Sequence, residues 1–338
     1  MVGAGIMGSA TAWRLSRRNR SVALLEQFEV GHDRGSSHGA ARVFRFSYDD
    51  PWFVRLAMEA LPLWRRLEDD AGQAVLRVTG GFDLGPPERL AAHQEALDAV
   101  GAVWDLVEGS EVARRFSGVA PPPGAALLFQ PDAGVIAADL AVRAFVRCAV
   151  DRGVELHERS RVEEFRPSGD GVEVVTGRET FRADAAVVTA GAWARPLLAG
   201  GEIDLPVTPT RETVAFFPAE GSEAFPVLVE WTEGPLYALP SPGQGLKTGW
   251  HHTGMPTDPD RRGKVEDRIV HRMSEWVAER FPGARPQPHH AETCIYTNTA
   301  DERFILERHG PIVVGSACSG HGFKFAPAVG ERLAALAG

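Results

Sequence analysis

Three groups of residues in this chain have types and spacings that could do chemistry: a glycine triplet at the start, two isolated lysines, and a cysteine in a β-prone run. MVGAGIMGSA places Gly3, Gly5 and Gly8 in GxGxxG spacing. Ahead of a helix, the first glycine permits a tight turn, the second lets backbone approach a pyrophosphate, and the third lets helix and strand pack closely. The next strand-like run, SVALLE, ends in Glu26, about 20 residues on, where an acid accepts hydrogen bonds from an adenosine ribose. Of the 36 basic residues only Lys247, Lys264 and Lys324 are lysine. An ammonium is a compact charge whose pKa burial can move, unlike guanidinium. Lys264, in PDRRGKVEDR, reads as solvated, whereas Lys247 in GQGLKTGWHH and Lys324 in CSGHGFKF lie among glycines and histidines. On local sequence alone, Lys247 suits a solvent-facing and a functional position about equally.

Cys294, in AETCIYTNTADERF, admits three readings: a small buried apolar group, half of a disulfide, or a reactive sulfur. Cys148, Cys294 and Cys318 form an odd, sparse set, which suits reduced thiols and weakens the disulfide. Cys148 reads as a small apolar residue on a helix. His252, His289 and His290 have no carboxylate or cysteine at metal-site spacing, so they read as loop residues and no metal is expected.

The elements that must hold these residues belong to a soluble globular chain. Its 338 residues suggest two domains at about 150 residues each. A formal charge of -9 disfavours nucleic acid and anionic membranes as partners. No apolar run approaches the roughly 20 residues of a membrane span, and the start lacks signal-peptide character, so the expected location is the cytoplasm. Helices are expected over PWFVRLAMEALPLWRRLEDDAG, with Trp52, Leu56, Leu61 and Leu63 or Trp64 on the apolar side, over PPERLAAHQEALDAVG, over the segment carrying Cys148, and over VEDRIVHRMSEWVAERFPG. RVTGGFDLG reads as strand and turn. GVELHERSRVEEFRPSGDGVEVVTGRETFRADAAVVTA reads as strand, β-meander and buried strand, and the chain from 213 to 299 is strand-rich. FILERHGPIVVGSACSGHGFKFAPAVGERLAALAG returns to strand, glycine loop and helix. Only Met1 and Val2 precede Gly3, so the first strand is read as very short or trimmed and the last helix as cut short, with weakened cofactor affinity as a consequence.

GAGIMGSA, GSSHGAARVFRFSY, GQGLKTGWHH, ETCIYTNT and CSGHGFKFAPAVGE resemble, in order and spacing along nearly the whole chain, the monomeric sarcosine oxidase and N-methyltryptophan oxidase group of the D-amino-acid-oxidase-like FAD family. The resemblance implies an α/β chain: a Rossmann-like FAD-binding domain (1–75, 138–212, 299–338) and an inserted substrate domain on a mixed, largely antiparallel sheet (76–137, 213–298). It implies FAD joined by a thioether to Cys294, with Cys318 the less favoured thiol. Glu26 would meet the ribose, Ser36 the pyrophosphate and His38 the flavin. Gly3, Gly5, Ile6, Met7, Gly8, Val162, Gly320, His321 and Gly322 would complete the cofactor contacts. Lys247 would assist oxygen reduction, and Arg42 would lie against the flavin. Arg45 and Lys324 would hold a substrate carboxylate, with Lys324 also on the cofactor side, while Tyr237, Tyr296 and His251 line the substrate side. Departures from the group are Ala41 in place of threonine, Leu228 and Leu239 at positions of pocket methionine and phenylalanine, and Trp250 in place of tyrosine.

The activity implied is oxidation of a secondary amino acid by oxygen, giving an imine and hydrogen peroxide, in a monomer whose partners are small molecules. A flavin dehydrogenase using another acceptor and an inactive flavin-binding protein are the alternatives, and a NAD-dependent dehydrogenase is a weaker third.

Overall fold

The computed structural model describes residues 1–338 apart from 117, 202 and 233. A parallel sheet is assembled from chain segments far apart in sequence. Ala23–Leu25 pairs with Glu155–His157, and Ala186–Val188 pairs with Ile312–Ser316, which carries Ile305–His309 antiparallel on its far side. Val2 alone joins the two halves, bridging Leu25 on one flank and Val188 on the other. The first strand is as short as expected, yet its backbone pairing is complete: Leu25 donates to Met1 O, and Thr189 N–H to Val2 O.

The helices Ile6–Arg17, Pro51–Ala71, Ala138–Val150 and Ala326–Ala337 cover this sheet around Trp13, Leu24, Trp64, Phe145 and Leu333, all fully buried. The last helix runs 12 residues. It lies so close to the first that a Cβ on Gly330 would come within 2.9 Å of Ala10 C. Cys148 is buried in the same core. Trp52 departs from the expected helix face. It stands at the first turn, 36% exposed, edge-on to Phe53 and Phe304, because Phe53 and Val54 take the core-facing side of that turn, followed by Leu56, Ala57 and Ala60.

The second layer is a nine-stranded sheet in the order Met255–Pro256, Thr208–Phe217, Gly245–Trp250, Pro235–Ser241, Val227–Trp231, Gly81–Leu84, Ala126–Gln130 and Asp105–Glu108, with His290–Asn298 also paired to Thr208–Phe217. Side chains alternate across it with period two. Leu228, Leu236, Leu246 and Phe217 face the helix Asp267–Arg280 in one core with Met273 and Trp276. There the buried Glu230 carboxylate accepts from Trp276 Nε1 at 2.6 Å and from Arg280 Nε at 2.7 Å, pinning helix to sheet. The other face looks toward the parallel sheet, and the site lies between them. The two layers match the α/β fold with a mixed second sheet. Strands Ala41–Phe44 and Asp105–Glu108 and the short helix Gly109–Arg115 were not legible in the sequence.

Candidate active site

One cavity of about 1140 Å³ runs from Gly3 to Lys324, larger than the roughly 300–1,000 Å³ usual for a small-ligand pocket. All three tyrosines, two of three lysines, two of three cysteines and six of eleven histidines line it. Residues of a given type scattered through the sequence thus gather in one place.

Its first end is built by the glycine triplet. Gly3 holds φ at +94°, and a Cβ there would meet Thr189 O at 2.7 Å. Gly8 does not line the cavity: a Cβ on it would fall on Gly3 O, so its role is close packing of helix on turn. The helix Ile6–Arg17 has Gly5 as N-cap, with no side-chain cap, which leaves its positive end open to an anion. Ser37 contacts that turn, its Oγ accepting the Ile6 N–H at 3.0 Å, while neighbouring Ser36 lines the cavity and its carbonyl accepts from Arg42 at 2.9 Å. Glu26 is buried and accepts from Ala4 N–H at 2.8 Å and Phe28 N–H at 2.9 Å, keeping spare lone pairs toward the cavity. Ile6, Met7 and Val162 complete this end.

In the middle, Arg42 ties the 36–41 loop together, donating to the Ala41, Ser36 and His38 carbonyls at 2.7–2.9 Å. His38 is buried, its Nε2 has no hydrogen-bond partner, and burial followed by the Arg42 charge pushes its pKa down to about 4. A helix N-terminus at the cavity, a turn without side chains, a buried acid at the end of the adjacent strand and an orphaned imidazole nitrogen facing one long cavity fit a dinucleotide such as FAD.

Lys247 lies across from this loop. It is 4% exposed, its Nζ donates to Ala41 O at 3.3 Å, and burial followed by Arg42 lowers its pKa to about 7. Cys294 is buried beside Val214, Phe216 and Tyr296. Burial raises its thiol pKa, while Arg42 and Lys247 pull the other way. Cys318 is packed against the same cluster, and its sulfur accepts the Thr297 N–H at 3.3 Å. All three cysteines are free thiols.

At the far end Lys324 Nζ donates to Tyr48 Oη and to His321 O, both at 2.7 Å. Burial, then Arg45, lowers its pKa well below the usual lysine value. Arg45 stacks over Tyr48 at 4.6 Å and Trp231 at 5.4 Å. His251 Nδ1 is 3.0 Å from Tyr296 Oη; Tyr296 is buried and Tyr237 and His251 are half-buried, and the loss of solvent pushes both phenols toward the neutral form. His321 sits in the Gly320–Gly322 loop with its pKa lowered to about 3 by burial and Lys324. Every expected site residue except Gly8 faces the cavity.

Three expectations need correcting. Leu228 and Trp250 do not reshape the cavity: they point to the opposite face of the sheet, toward Asp267–Arg280, and Val229, Leu239 and Gly249 take the cavity side. One residue of phase moves a strand side chain to the other face. His252 does acquire a carboxylate: Glu302, from a loop 50 positions on, stands 3.3 Å from its Nε2, and ligand-capable atoms of His251, His252 and Glu302 lie within 4.8 Å of one another. His290 begins the strand His290–Asn298 rather than a loop. The sequence reading also missed Tyr48, Trp231 and Asp83, although Tyr48 is one of only three tyrosines and ends a motif singled out above.

The neutral imidazoles have a consequence for stability. His38 and His321 bind protons less readily folded than unfolded, where a histidine pKa is about 6.5. Stability is therefore whole above pH 6.5 and is lost as pH falls toward 4 and then 3, by at most about 1.4 kcal/mol per pH unit per group. Urea midpoints between pH 7 and 4 should fall, and His38→Asn should flatten the upper part of that decline.

A profile of the family described as FAD dependent oxidoreductase matches residues 1–336. Monomeric sarcosine oxidase of Bacillus sp. (strain B-0618) is 34% identical, with 100% of this chain and 91% of that one aligned. Peroxisomal sarcosine oxidase of Homo sapiens is 35% identical over 98% of this chain and 90% of that one. Among solved structures, NikD, an unusual amino acid oxidase essential for nikkomycin biosynthesis, superposes in its open form with a TM-score of 0.88 at 27% identity, covering 99% and 92%.

Proposed function

The chain belongs to the D-amino-acid-oxidase-like (DAO) family of FAD-dependent oxidoreductases, and from that premise we propose that it oxidises a secondary amino acid, N-methyl or cyclic, with molecular oxygen. The products are an imine, which hydrolyses, and hydrogen peroxide. The observation that carries this reading is one cavity with a dinucleotide cradle at one end and, at the other, two cations, half-buried Arg45 and buried Lys324, flanking one tyrosine.

FAD bound here would supply the hydride acceptor for the substrate carbon and the route by which electrons reach oxygen. Gly3, Gly5, Ile6 and Met7 would hold the pyrophosphate beside Ser36, Glu26 the ribose, and Val162 the adenosine side. His38, Arg42 and the Gly320–Gly322 loop would hold the isoalloxazine, and Cys294 would carry it through a thioether to a ring methyl carbon, the S–H and one methyl C–H being lost as two protons and two electrons that the flavin takes up and oxygen then removes. A substrate carboxylate left unpaired in this cavity would cost several kcal/mol, so Arg45 and Lys324 orient the substrate by that group. Tyr237, Tyr296 and neutral His251 wall the amine side and keep water from it. Hydride loss needs the amine neutral, which the neighbouring cations favour, so no separate base is required. Lys247 supplies a fixed positive charge where negative charge develops on oxygen.

The domain division proposed above goes with this reading: 81–130 and 208–298 supply the nine-stranded sheet, and the rest supplies the parallel sheet together with two small antiparallel ones. One boundary is shared, because Gly134–Ala137 pairs with Ala41–Phe44 of the cofactor side on one edge and with Leu76–Val78 on the other. The three free thiols support a cytoplasmic location, no described helix is long and apolar enough to cross a membrane, and the enzyme acts as a monomer. Oxygen uptake and peroxide release, one of each per sarcosine consumed, test the proposal. Turnover without peroxide would make the enzyme a dehydrogenase, and no turnover of any secondary amino acid would end this reading.

A further inference from the structure

Resting on that reading of the cavity, we propose that Asp83 is a specificity-determining residue, one that neutralises Arg45 and thereby limits how tightly the site holds a carboxylate. Asp83 lies in the strand Gly81–Leu84, in register with cavity-lining Val229, yet it is only 2% exposed because Arg45 and Trp231 cover it. An aspartate in a sheet interior must be paired. Its Oδ1 accepts Trp231 Nε1–H at 2.7 Å and stands 3.5 Å from Arg45 Nη1, and its Oδ2 accepts Ser47 Oγ–H. His93 Nδ1 approaches the same carboxylate at 3.8 Å without a hydrogen bond.

Arg45 is therefore held from behind. Nη1 donates to the Ser47 carbonyl and, at 3.1 Å, to Ser47 Oγ, and the guanidinium plane rests on Tyr48 and Trp231. Its Nε and Nη2 make no hydrogen bond among the described residues, so the fork that grips a carboxylate two-handed stays free for a ligand. Lys324, across Tyr48, has no acidic partner among the described residues. With Asp83 counted, Arg45, Lys324 and Asp83 together carry one net positive charge rather than two, the complement of a single carboxylate, while Arg89, over the other edge of Trp231, is paired with Asp49. Two uncompensated cations would bind that group, in substrate and product alike, more tightly without helping the chemical step.

Acetate, a carboxylate without an amine, is the probe, titrated into flavin-containing enzyme by calorimetry and by the change in flavin absorbance. Asp83→Asn keeps acceptor and donor positions for Trp231 and Ser47 while removing the charge, and Asp83→Thr keeps an acceptor, so the test survives if one variant does not fold. In both, acetate should bind about tenfold more tightly, the size expected for one charge several ångströms away. Asp83→Glu should restore the wild-type value, which a merely structural role would not require. Acetate affinity unchanged or weakened in folded Asn and Thr variants would overturn the role of Asp83 alone. Acetate that fails to bind even the wild type would overturn the carboxylate-binding reading of the cavity, and this proposal with it.

Discussion

Lys247→Met should slow oxygen consumption by the substrate-reduced enzyme by about 10²–10³, the usual cost of deleting one fixed charge-stabilising group, while flavin reduction by substrate changes far less. The argument starts from burial. Lys247 is 4% exposed, with one long hydrogen bond to Ala41 O and its ammonium 5.5 Å from the Phe216 ring centre. No acid lies within ion-pair distance among the described residues, and its pKa has dropped to about 7. A fold keeps an unpaired buried ammonium at a cost of several kcal/mol, so removing it should leave stability unchanged or raise it. Slower oxygen reaction in a protein that is no less stable separates function from structure. Unchanged oxygen reactivity would remove Lys247 from the mechanism.

Cys294→Ala should convert flavin that stays with acid-precipitated protein into flavin released entirely to the supernatant. The thiol lies in the strand His290–Asn298, opposite Glu212 and between Val214, Phe216 and Tyr296, facing the cavity middle where Arg42 and Lys247 converge. Those two cations oppose the burial that keeps the thiol protonated, and a thiolate is the bond-forming species. Cys318 is the rival sulfur, but it already accepts the Thr297 N–H. Cys318→Ala should therefore leave the pellet yellow. A white pellet from Cys318→Ala, or from the wild type, would move or abolish the linkage.

The parts of this molecule that could be read from sequence are those written in local spacing. GxGxxG, the acid at Glu26 and the helix between them are contiguous, and the structure forms them as expected. Lysine rarity singled out Lys247 and Lys324 because arginine is the default cation here, and both line the cavity. Phase was harder than period. VLVEW is apolar on both sides because each face of the sheet is covered, so nothing local says that Val229 faces the cavity and Leu228 the helix Asp267–Arg280. Likewise Trp250 looks like a site residue beside His251, but neighbours in a strand face opposite ways. Groups brought together only by the fold were not legible at all. Glu302 reaches His252, Asp83 reaches Arg45 through Ser47, and Tyr48 accepts from Lys324 276 positions away. Val2 shows the converse: a first strand read from sequence as too short to hold a cofactor firmly still completes the sheet, because it bridges Leu25 on one flank and Val188 on the other.

The most direct test of the whole account is an anaerobic titration of the purified, flavin-containing protein with sarcosine, a longer N-methyl amino acid and a cyclic imino acid. At least one of these should bleach the yellow absorbance in a one-to-one stoichiometry, with the colour returning on admission of air as peroxide forms. Flavin that stays oxidised in the presence of all three would contradict the assignment of the cavity to secondary amino acids.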